Sequence, residues 1–429
     1  MPKDWKLSRL NELGFVGRGK SKHRPRNDPS LYGGRYPFIQ TGEIKAADLY
    51  IAEFDETYND RGLAQSKLWP AGTLCITIAA NIAETAILKI EACFPDSIVG
   101  FVADQRKADV RFVKYQIDTI KLQMQNISRG TTQDNLSLDK LLSFELLAPP
   151  VVVQGKIAAV IGTYDDLIEN NRRRIKILEE IARAIYREWF IEFRAPDVTL
   201  RKATPTERKA TGKDVFPVGW ELERATDVMI VNPLLQVAKD TQRPFVPMSS
   251  LKNDSMLIDS IESRRGSNGS KFQNRDTLFA RITPCLENGK TAYVQFLSTD
   301  QVVASGSTEF IVLRSKTVCP EFVYLLARTE EFRDNAIKSM SGATGRQRVQ
   351  EECFEKFAVA RPEEGVLSSF RETIGPMFSS IQVLANRNDN LRRTRDFLLP
   401  RLMSGEVNVE SRELAIADGP VQEIAEVNN

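Results

Sequence analysis

The sequence predicts an α/β fold: two globular domains in tandem repeat, separated by two long helices that pack together as a coiled coil. Two observations carry this prediction. The first is a pair of apolar seams 213 residues apart, at residues 157–185 and 370–398, each stepping by alternating four and three residues. That spacing forms one stripe along a helix and requires a partner helix. The second is that each seam follows a segment with the same order of strand and helix signals.

A single four-three run is also typical of an ordinary core helix. Two runs in constant register, each after a matched segment, favour a repeated helix pair instead. The seams contain the polar residues Asn171, Asn388 and Arg395, and polar residues at such positions often fix register and pairing. The members of the two seams are Ile157, Ile161, Tyr164, Ile168, Asn171, Ile175, Leu178, Ala182 and Ile185, and Phe370, Ile374, Met377, Ile381, Leu384, Asn388, Leu391, Arg395 and Leu398.

Each domain opens on a matched tryptophan, Trp5 in WKLSRLNEL and Trp220 in WELERATDV. A loop rich in glycine and basic residues follows, and then a strand that begins with Pro-Phe. A turn leads into a second strand signal, GTLCITIA in one copy and DTLFARIT in the other. We match a further short strand at residues 100–102 with residues 309–311. This mixture of elements predicts an α/β domain whose loops carry the variation.

The second half of each domain repeats as well. A predicted helix, at residues 112–125 and 321–338, leads into a loop that reads SRGTTQDNLS in the first copy and SGATGRQRVQ in the second. A final strand then ends in proline, at Pro150 and at Pro362. We therefore expect the following organisation: domain 1 at 1–150, first spacer helix at 151–193, exposed polar linker at 194–217, domain 2 at 218–362, second spacer helix at 363–408, and flexible tail at 409–429.

Hydrophobic runs, cysteine content and net charge limit the class of protein that this sequence can be. The sequence contains no run of about 18 apolar residues, so it predicts no transmembrane helix. The start MPKDWKLSRL lacks the apolar stretch of a signal peptide. The five cysteines are scattered, which predicts reduced core thiols in a cytoplasmic protein without structural zinc. Because the net charge is only +2, a nucleic-acid binder of this composition must concentrate its positive charge locally or share the contact with a partner.

The sequence contains no complete catalytic motif of the kinds considered below. The segment ENGKT resembles the end of a phosphate-binding loop, but Pro284 stands where that loop needs glycine. The nuclease-like set Asp197, Glu207 and Lys209 lies in the predicted linker, which offers no rigid strands to hold a metal. No tetrapeptide or glycine-rich turn of a base methyltransferase is present. The sequence therefore predicts a binding protein with no catalytic residues, no bound metal and no cofactor.

Basic residues supply the first candidate DNA contacts. They are interleaved with glycines, so their charges and the glycine amides could follow a phosphate backbone. The alternative is an ordinary solvated charge run. The candidates are Arg18, Lys20, Lys22, Arg24 and Arg26 in the first domain, and Arg264, Arg265 and Lys271 in the second.

The paired loop before each final strand supplies the second set. Asn and Gln can bridge adenine edges, and Arg can bind both major-groove acceptors of guanine. The same residues also suit an ordinary capped loop between helix and strand. The candidates are Thr131, Thr132, Gln133 and Asn135 in the first domain, and Thr344, Arg346, Gln347 and Arg348 in the second; Asn81 and Arg281, near the ends of matched strands, are weaker ones.

These residues resemble a known family. The phrases YGGRYPFIQTGEI and WPAGTLCITIAANIAETAIL, the run from Ala148 to Phe190 and FLLPRLMSGEV resemble the DNA specificity subunit of type I restriction-modification systems, over about residues 3–408. The resemblance implies two target recognition domains, each reading one half of a split asymmetric DNA site. It also implies two antiparallel helices that set the distance between the halves.

The resemblance further implies a non-catalytic subunit that docks two methyltransferase subunits and recruits restriction subunits. S-adenosylmethionine, ATP and magnesium would then be used by those partners in adenine methylation and DNA cleavage. The second copy departs from the family pattern, since SGATGRQRVQ is more basic than SRGTTQDNLS and RPEEGVLSSF lacks the step seen at Gln154–Ile157. Base-contact roles therefore do not transfer from one loop to the other. A bivalent protein-binding scaffold on a coiled-coil stalk remains the alternative function.

Overall fold

The computed structural model describes residues 4–79, 81–129, 136–237, 241–298, 302–343 and 345–409. The chain separates into two compact units, one made of Met1–Glu169 with Asp389–Asn429 and the other of Asn170–Asn388. Residues 410–429, most of the predicted flexible tail, lie outside the described residues.

Most elements of the first unit are short, and a long helix begins after its last strand. Its strands are β1 (Lys6–Arg9), β2 (Gly14–Arg18), β3 (Tyr32–Phe38), β4 (Tyr50–Ile51), β5 (Glu56–Tyr58), β6 (Leu68–Trp69), β7 (Leu74–Thr77), β8 (Thr85–Leu88), β9 (Ala92–Cys93), β10 (Ile98–Ala103) and β11 (Glu145–Ala148). Its helices are α1 (Leu10–Leu13), α2 (Thr41–Ala46), α3 (Asp60–Ala64), α4 (Val110–Arg129) and α5 (Leu138–Ser143), followed by α6 (Val151–Tyr186).

Two sheets form the first unit, in the strand orders β2-β10-β7-β8-β4 and β5-β3-β9-β6, and β1 pairs with β11. All four residues of β7 are buried, as expected of a central strand covered on both faces. The helix α4 packs against β8. Asp109 begins α4, because its carboxylate accepts hydrogen bonds from the backbone amides of Arg111 and Phe112.

The second unit continues with the same kinds of element. Its strands are β12 (Leu200–Lys202), β13 (Val215–Pro217), β14 (Glu221–Arg224), β15 (Met229–Val231), β16 (Gln242–Val246), β17 (Glu262–Arg265), β18 (Ser270–Phe272), β19 (Thr277–Ala280), β20 (Thr291–Tyr293), β21 (Ala304–Gly306), β22 (Phe310–Ser315) and β23 (Ala358–Arg361). Its helices are α7 (Pro205–Thr211), α8 (Ala225–Val228), α9 (Pro320–Arg328) and α10 (Glu330–Lys338), followed by α11 (Glu364–Met403).

The two units repeat one topology in register. The orders β15-β22-β19-β20 and β17-β16-β21-β18 reproduce those of the first unit, except that the described residues of the second unit form no strand matching β4. Lys6 pairs with Ala148 as Glu221 pairs with Arg361, and Leu74 pairs with Phe101 as Thr277 pairs with Leu313. The second sheet of each unit contains one parallel pair of strands, β3–β9 in the first unit and β16–β21 in the second. The predicted tandem α/β fold is confirmed.

The long helices α6 and α11 pack together in both units. In the first, Arg395 Nη1 donates to Asp165 Oδ1 at 2.6 Å. In the second, Asn171 Nδ2 donates to Asn388 Oδ1 at 2.9 Å, and the ring of Tyr186 lies 6.2 Å from that of Phe370. Because partner numbers fall along α11 as they rise along α6, the helices run antiparallel. The members of both predicted seams are buried or half-buried, so the helix-pair prediction is confirmed.

The exposed linker predicted at 194–217 is wrong. Its residues form β12, α7 and β13, with β12 and β13 paired antiparallel. Phe216 is fully buried, and its ring lies 5.5 Å from that of Phe193. Thr204 and Glu207 form a capping box for α7. The few buried residues of this segment are too irregularly spaced to give an apolar period, which is why the sequence appears unstructured.

Two smaller expectations also need correction. The helix predicted at 321–338 is two helices, α9 and α10, because the Thr329 side chain caps the start of α10. The predicted match of residues 100–102 with residues 309–311 is wrong by three residues. Since Ile98 pairs with Thr77 as Phe310 pairs with Ala280, residues 100–102 correspond to 312–314.

None of the helices in the described residues is long and apolar enough to cross a membrane.

Candidate nucleic-acid interface

The basic loop that follows β2 is held to the first unit by its backbone. The amides of Gly19 and Lys20 donate to the carbonyls of Ile98 and Phe94 at 2.8 and 3.0 Å. The amides of Lys22 and His23 both donate to Gln65 Oε1, at 2.6 and 3.0 Å. Glycine-rich spacing does not predict these hydrogen bonds, because their acceptors are distant in the sequence.

The candidate cations of this loop differ in whether their side chains already have hydrogen-bond or ion-pair partners. Arg18 and Arg26 are exposed but tied to Asp96, Arg18 through the backbone carbonyl and Arg26 by a 2.6 Å ion pair. The Arg24 guanidinium donates to backbone carbonyls, which leaves its charge unneutralised. The side chains of Lys20 and Lys22 make no hydrogen bond or ion pair with the described part of the chain. Arg24, Lys20 and Lys22 thus offer the most available charge.

The structure says less about the other candidate DNA contacts of the first unit. Thr131, Thr132, Gln133 and Asn135 lie outside the described residues. Asn81 is half-buried, and Lys45 Nζ donates to its side-chain oxygen at 3.4 Å. The strand register matches Arg281 with Ile78 rather than with Asn81.

In the second unit the structure brings together three candidates from distant parts of the sequence. The Val349 amide donates to the carbonyl of Arg281 at 2.9 Å. The Thr283 amide donates to the carbonyl of Gln347 at 3.1 Å, and the Gln347 amide donates to the Thr283 hydroxyl. Arg281, Gln347 and Arg348 therefore share one surface at the end of β19. Thr344 lies outside the described residues.

Acidic residues neutralise part of this surface. Arg348 binds the Glu309 carboxylate through two nitrogens, with distances of 2.6 and 2.9 Å. This pairing holds the pKa of Glu309 below its ordinary value. Arg281 pairs with Glu351 at 3.1 Å. Arg346 is exposed and has no side-chain partner within the described ranges, so it is the cation of this loop most available for a ligand.

The remaining candidates lie on the second sheet of this unit. Arg264 and Arg265 are exposed on β17, and Lys271 is half-buried on β18. The Arg264 guanidinium lies 3.7 Å from the centre of the Phe245 ring and 2.6 Å from Glu262. Sequence reasoning missed Glu262, Glu309 and Glu351 as partners. The first follows from spacing, because residues two apart on a strand share a face.

Within the described residues, no group of three or more His, Cys, Asp or Glu could hold a metal ion. The cysteines there are free thiols, and burial raises the pKa of Cys93 and Cys353. Such neutral thiols are poor metal ligands and poor nucleophiles.

Comparisons with known proteins agree with this architecture. Residues 2–180 match the model of the type I restriction modification DNA specificity domain. The type I restriction enzyme MjaIX specificity subunit of Methanocaldococcus jannaschii is 23% identical, over 96% of this chain and 95% of that protein. The HindI specificity subunit of Haemophilus influenzae is 22% identical, over 65% and 72%. The solved type I S subunit from M. genitalium has the same fold, with a TM-score of 0.55 and 12% identity over 93% of this chain and 96% of that one.

The tandem α/β fold on a helix pair is the fold of that solved S subunit, and the basic loops add candidate DNA contacts. The chain is similar to the family of DNA specificity subunits of type I restriction-modification systems, through the family model over residues 2–180 and through the M. jannaschii relative over 96% of its length. Subunits of this family are not catalytic themselves.

Proposed function

We propose that this chain reads a bipartite, asymmetric DNA site, one half with residues 1–150 and the other with residues 218–362 as target recognition domains. The observation that carries this proposal is the in-register repeat. One frame appears twice, and the two copies differ in the polar side chains of their loops. Two similar frames with different polar loops suit two different half-sites.

The chain also docks two methyltransferase subunits and recruits restriction subunits in this proposal. The small net charge supports a shared DNA contact, because +2 supplies little long-range attraction to phosphates. Much of the local charge is already paired, as at Arg26, Arg281 and Arg348. The methyltransferase subunits would then supply the S-adenosylmethionine chemistry and much of the phosphate contact.

Gel-shift titrations test this proposal with the chain alone and with its methyltransferase partner. We expect weak, strongly salt-dependent binding by the chain alone, and sequence-specific binding once the partner is present. Tight specific binding by the isolated chain would contradict the shared contact. Binding that ignores salt and DNA sequence in both samples would favour the protein-binding scaffold.

A further inference from the structure

The second unit has an open cavity of about 390 Å³ in the sheet β17-β16-β21-β18. It lies where the parallel strands β16 and β21 end. Phe245 and Met248 give it apolar surface, and Asn268, Ser307 and Thr308 give it polar groups. Arg264 on β17 also lines it. The cavity therefore combines an apolar surface with hydrogen-bonding side chains.

At the matched position of the first unit, a buried aromatic ring stands in place of Arg264. The register equates Arg264 with Tyr58, since Arg243 pairs with Arg264 as Tyr36 pairs with Tyr58. Tyr58 is fully buried and stacks on Phe38 with ring centres 4.1 Å apart. An aromatic core in one unit is thus replaced in the other by an arginine beside a cavity.

Two neighbours fix the Arg264 guanidinium. Its centre lies 3.7 Å from the centre of the Phe245 ring, and Glu262 Oε2 accepts from Nε and Nη2 at 2.8 and 2.6 Å. The Nη1 group has no hydrogen-bond partner in the described part of the chain. A guanidinium held by stacking and by a carboxylate loses little further entropy when it binds a planar ligand.

We propose that this cavity is a base-reading subsite of the second unit, in which Arg264 recognises a guanine. The proposal rests on the proposed function. Arginine binds the O6 and N7 atoms of guanine through two nitrogens, and Asn268, Ser307 and Thr308 can contact neighbouring base edges. Lys271, on the same face of the sheet as Arg264, adds charge for the backbone. A phosphate would gain nothing from the apolar surface of Phe245 and Met248.

The experiment selects bound sequences from a randomised duplex DNA library, using the full chain with its methyltransferase partner. Wild type is compared with Arg264→Ala, Arg264→Lys and the control Arg265→Ala. Arg265 is the next residue of β17, so its side chain points to the opposite face of the sheet. Thermal melting of each variant identifies misfolding, and Arg264→Lys keeps the charge and stem but removes the planar fork.

We expect both Arg264 variants to lose about 5- to 150-fold of discrimination at one guanine in one half of the motif. Arg265→Ala should leave the discrimination at that guanine unchanged. An unchanged motif, or an even loss in the Arg264 variants, would overturn the subsite. A wild-type selection without a two-part motif would instead overturn the proposed function.

Discussion

Asp165 is a buried carboxylate with two side-chain donors in the first unit. Arg395 donates to one oxygen at 2.6 Å and Tyr115 to the other at 2.5 Å, and only 2% of the Asp165 side chain is exposed. A buried ion pair adds little net stability over apolar residues, but removing one partner leaves an uncompensated charge. The pair therefore matters to this helix contact chiefly because neither partner can be removed alone.

Arg395→Met should lower the free energy of unfolding by about 3 kcal/mol, because Asp165 would remain buried without its cation. Urea denaturation measures this change. The double variant Asp165→Leu with Arg395→Met should recover most of the loss. Arg393→Met, an exposed change on the same helix, is the control and should have little effect. Equal effects of the two single arginine variants would rule out the buried-pair account.

Arg346 and Arg348 lie two residues apart but differ in their partners. Arg346→Ala should weaken DNA binding of the complex evenly across sequences and reduce the slope of log K against log salt by about 1. Binding titrations at several salt concentrations measure both effects. Arg348→Ala also frees Glu309, so it should disturb the loop itself. An unchanged salt slope for Arg346→Ala would exclude its phosphate contact.

The sequence predicts residue types at these sites better than it predicts their partners. Runs of arginine and glutamine point to the loop at 341–350, but Glu309 is 39 residues from Arg348. Spacing along the chain carries no information about such a contact. The same limit applies at Gln65, which holds the basic loop from 42 or 43 residues away.

The helix pair contains a polar contact whose repeat-related positions are apolar. Asn171 bonds Asn388, while the positions related by 213 residues, Leu384 and Ile175, are buried and apolar. The four-three seam predicts both helices and marks the asparagines as unusual. It does not give their mates, which depend on the direction and offset of the pairing.

A double-mutant cycle tests that contact. Asn388→Leu alone should cost about 1–3 kcal/mol, because the Asn171 amide would be buried without this partner. Asn171→Ile with Asn388→Leu should cost less than the sum of the single changes. Urea unfolding of the four proteins gives the coupling energy. Strict additivity would mean that the two asparagines do not act together.

The segment at 194–217 shows how a folded element can escape detection. Its order depends on a few groups: the buried ring of Phe216, the capping box at Thr204 and the Arg201 fork on Glu207. That fork, with backbone and side-chain hydrogen bonds from Thr204, lowers the pKa of Glu207 to about 2. Periodicity fails here because the elements are too short to repeat.

At the scale of the whole molecule, we propose that the helix pair sets the number of base pairs between the half-sites. Deleting residues 168–174 with 386–392 removes one heptad from each helix at mated positions. Seven residues of helix span about 10 Å, which corresponds to about three base pairs. Binding to the original site should fall, with preference moving to a shorter spacer in library selection. An unchanged spacer would refute the ruler role.

In the proposed function, two similar units read two half-sites independently. Sequencing of methylated adenines in the host genome tests it most directly, with wild type and with a variant whose residues 131–135 are replaced by other polar residues. We predict a two-part motif in which the variant changes one half and leaves the other half and the spacer intact. A continuous motif, or a change in both halves, would contradict the account.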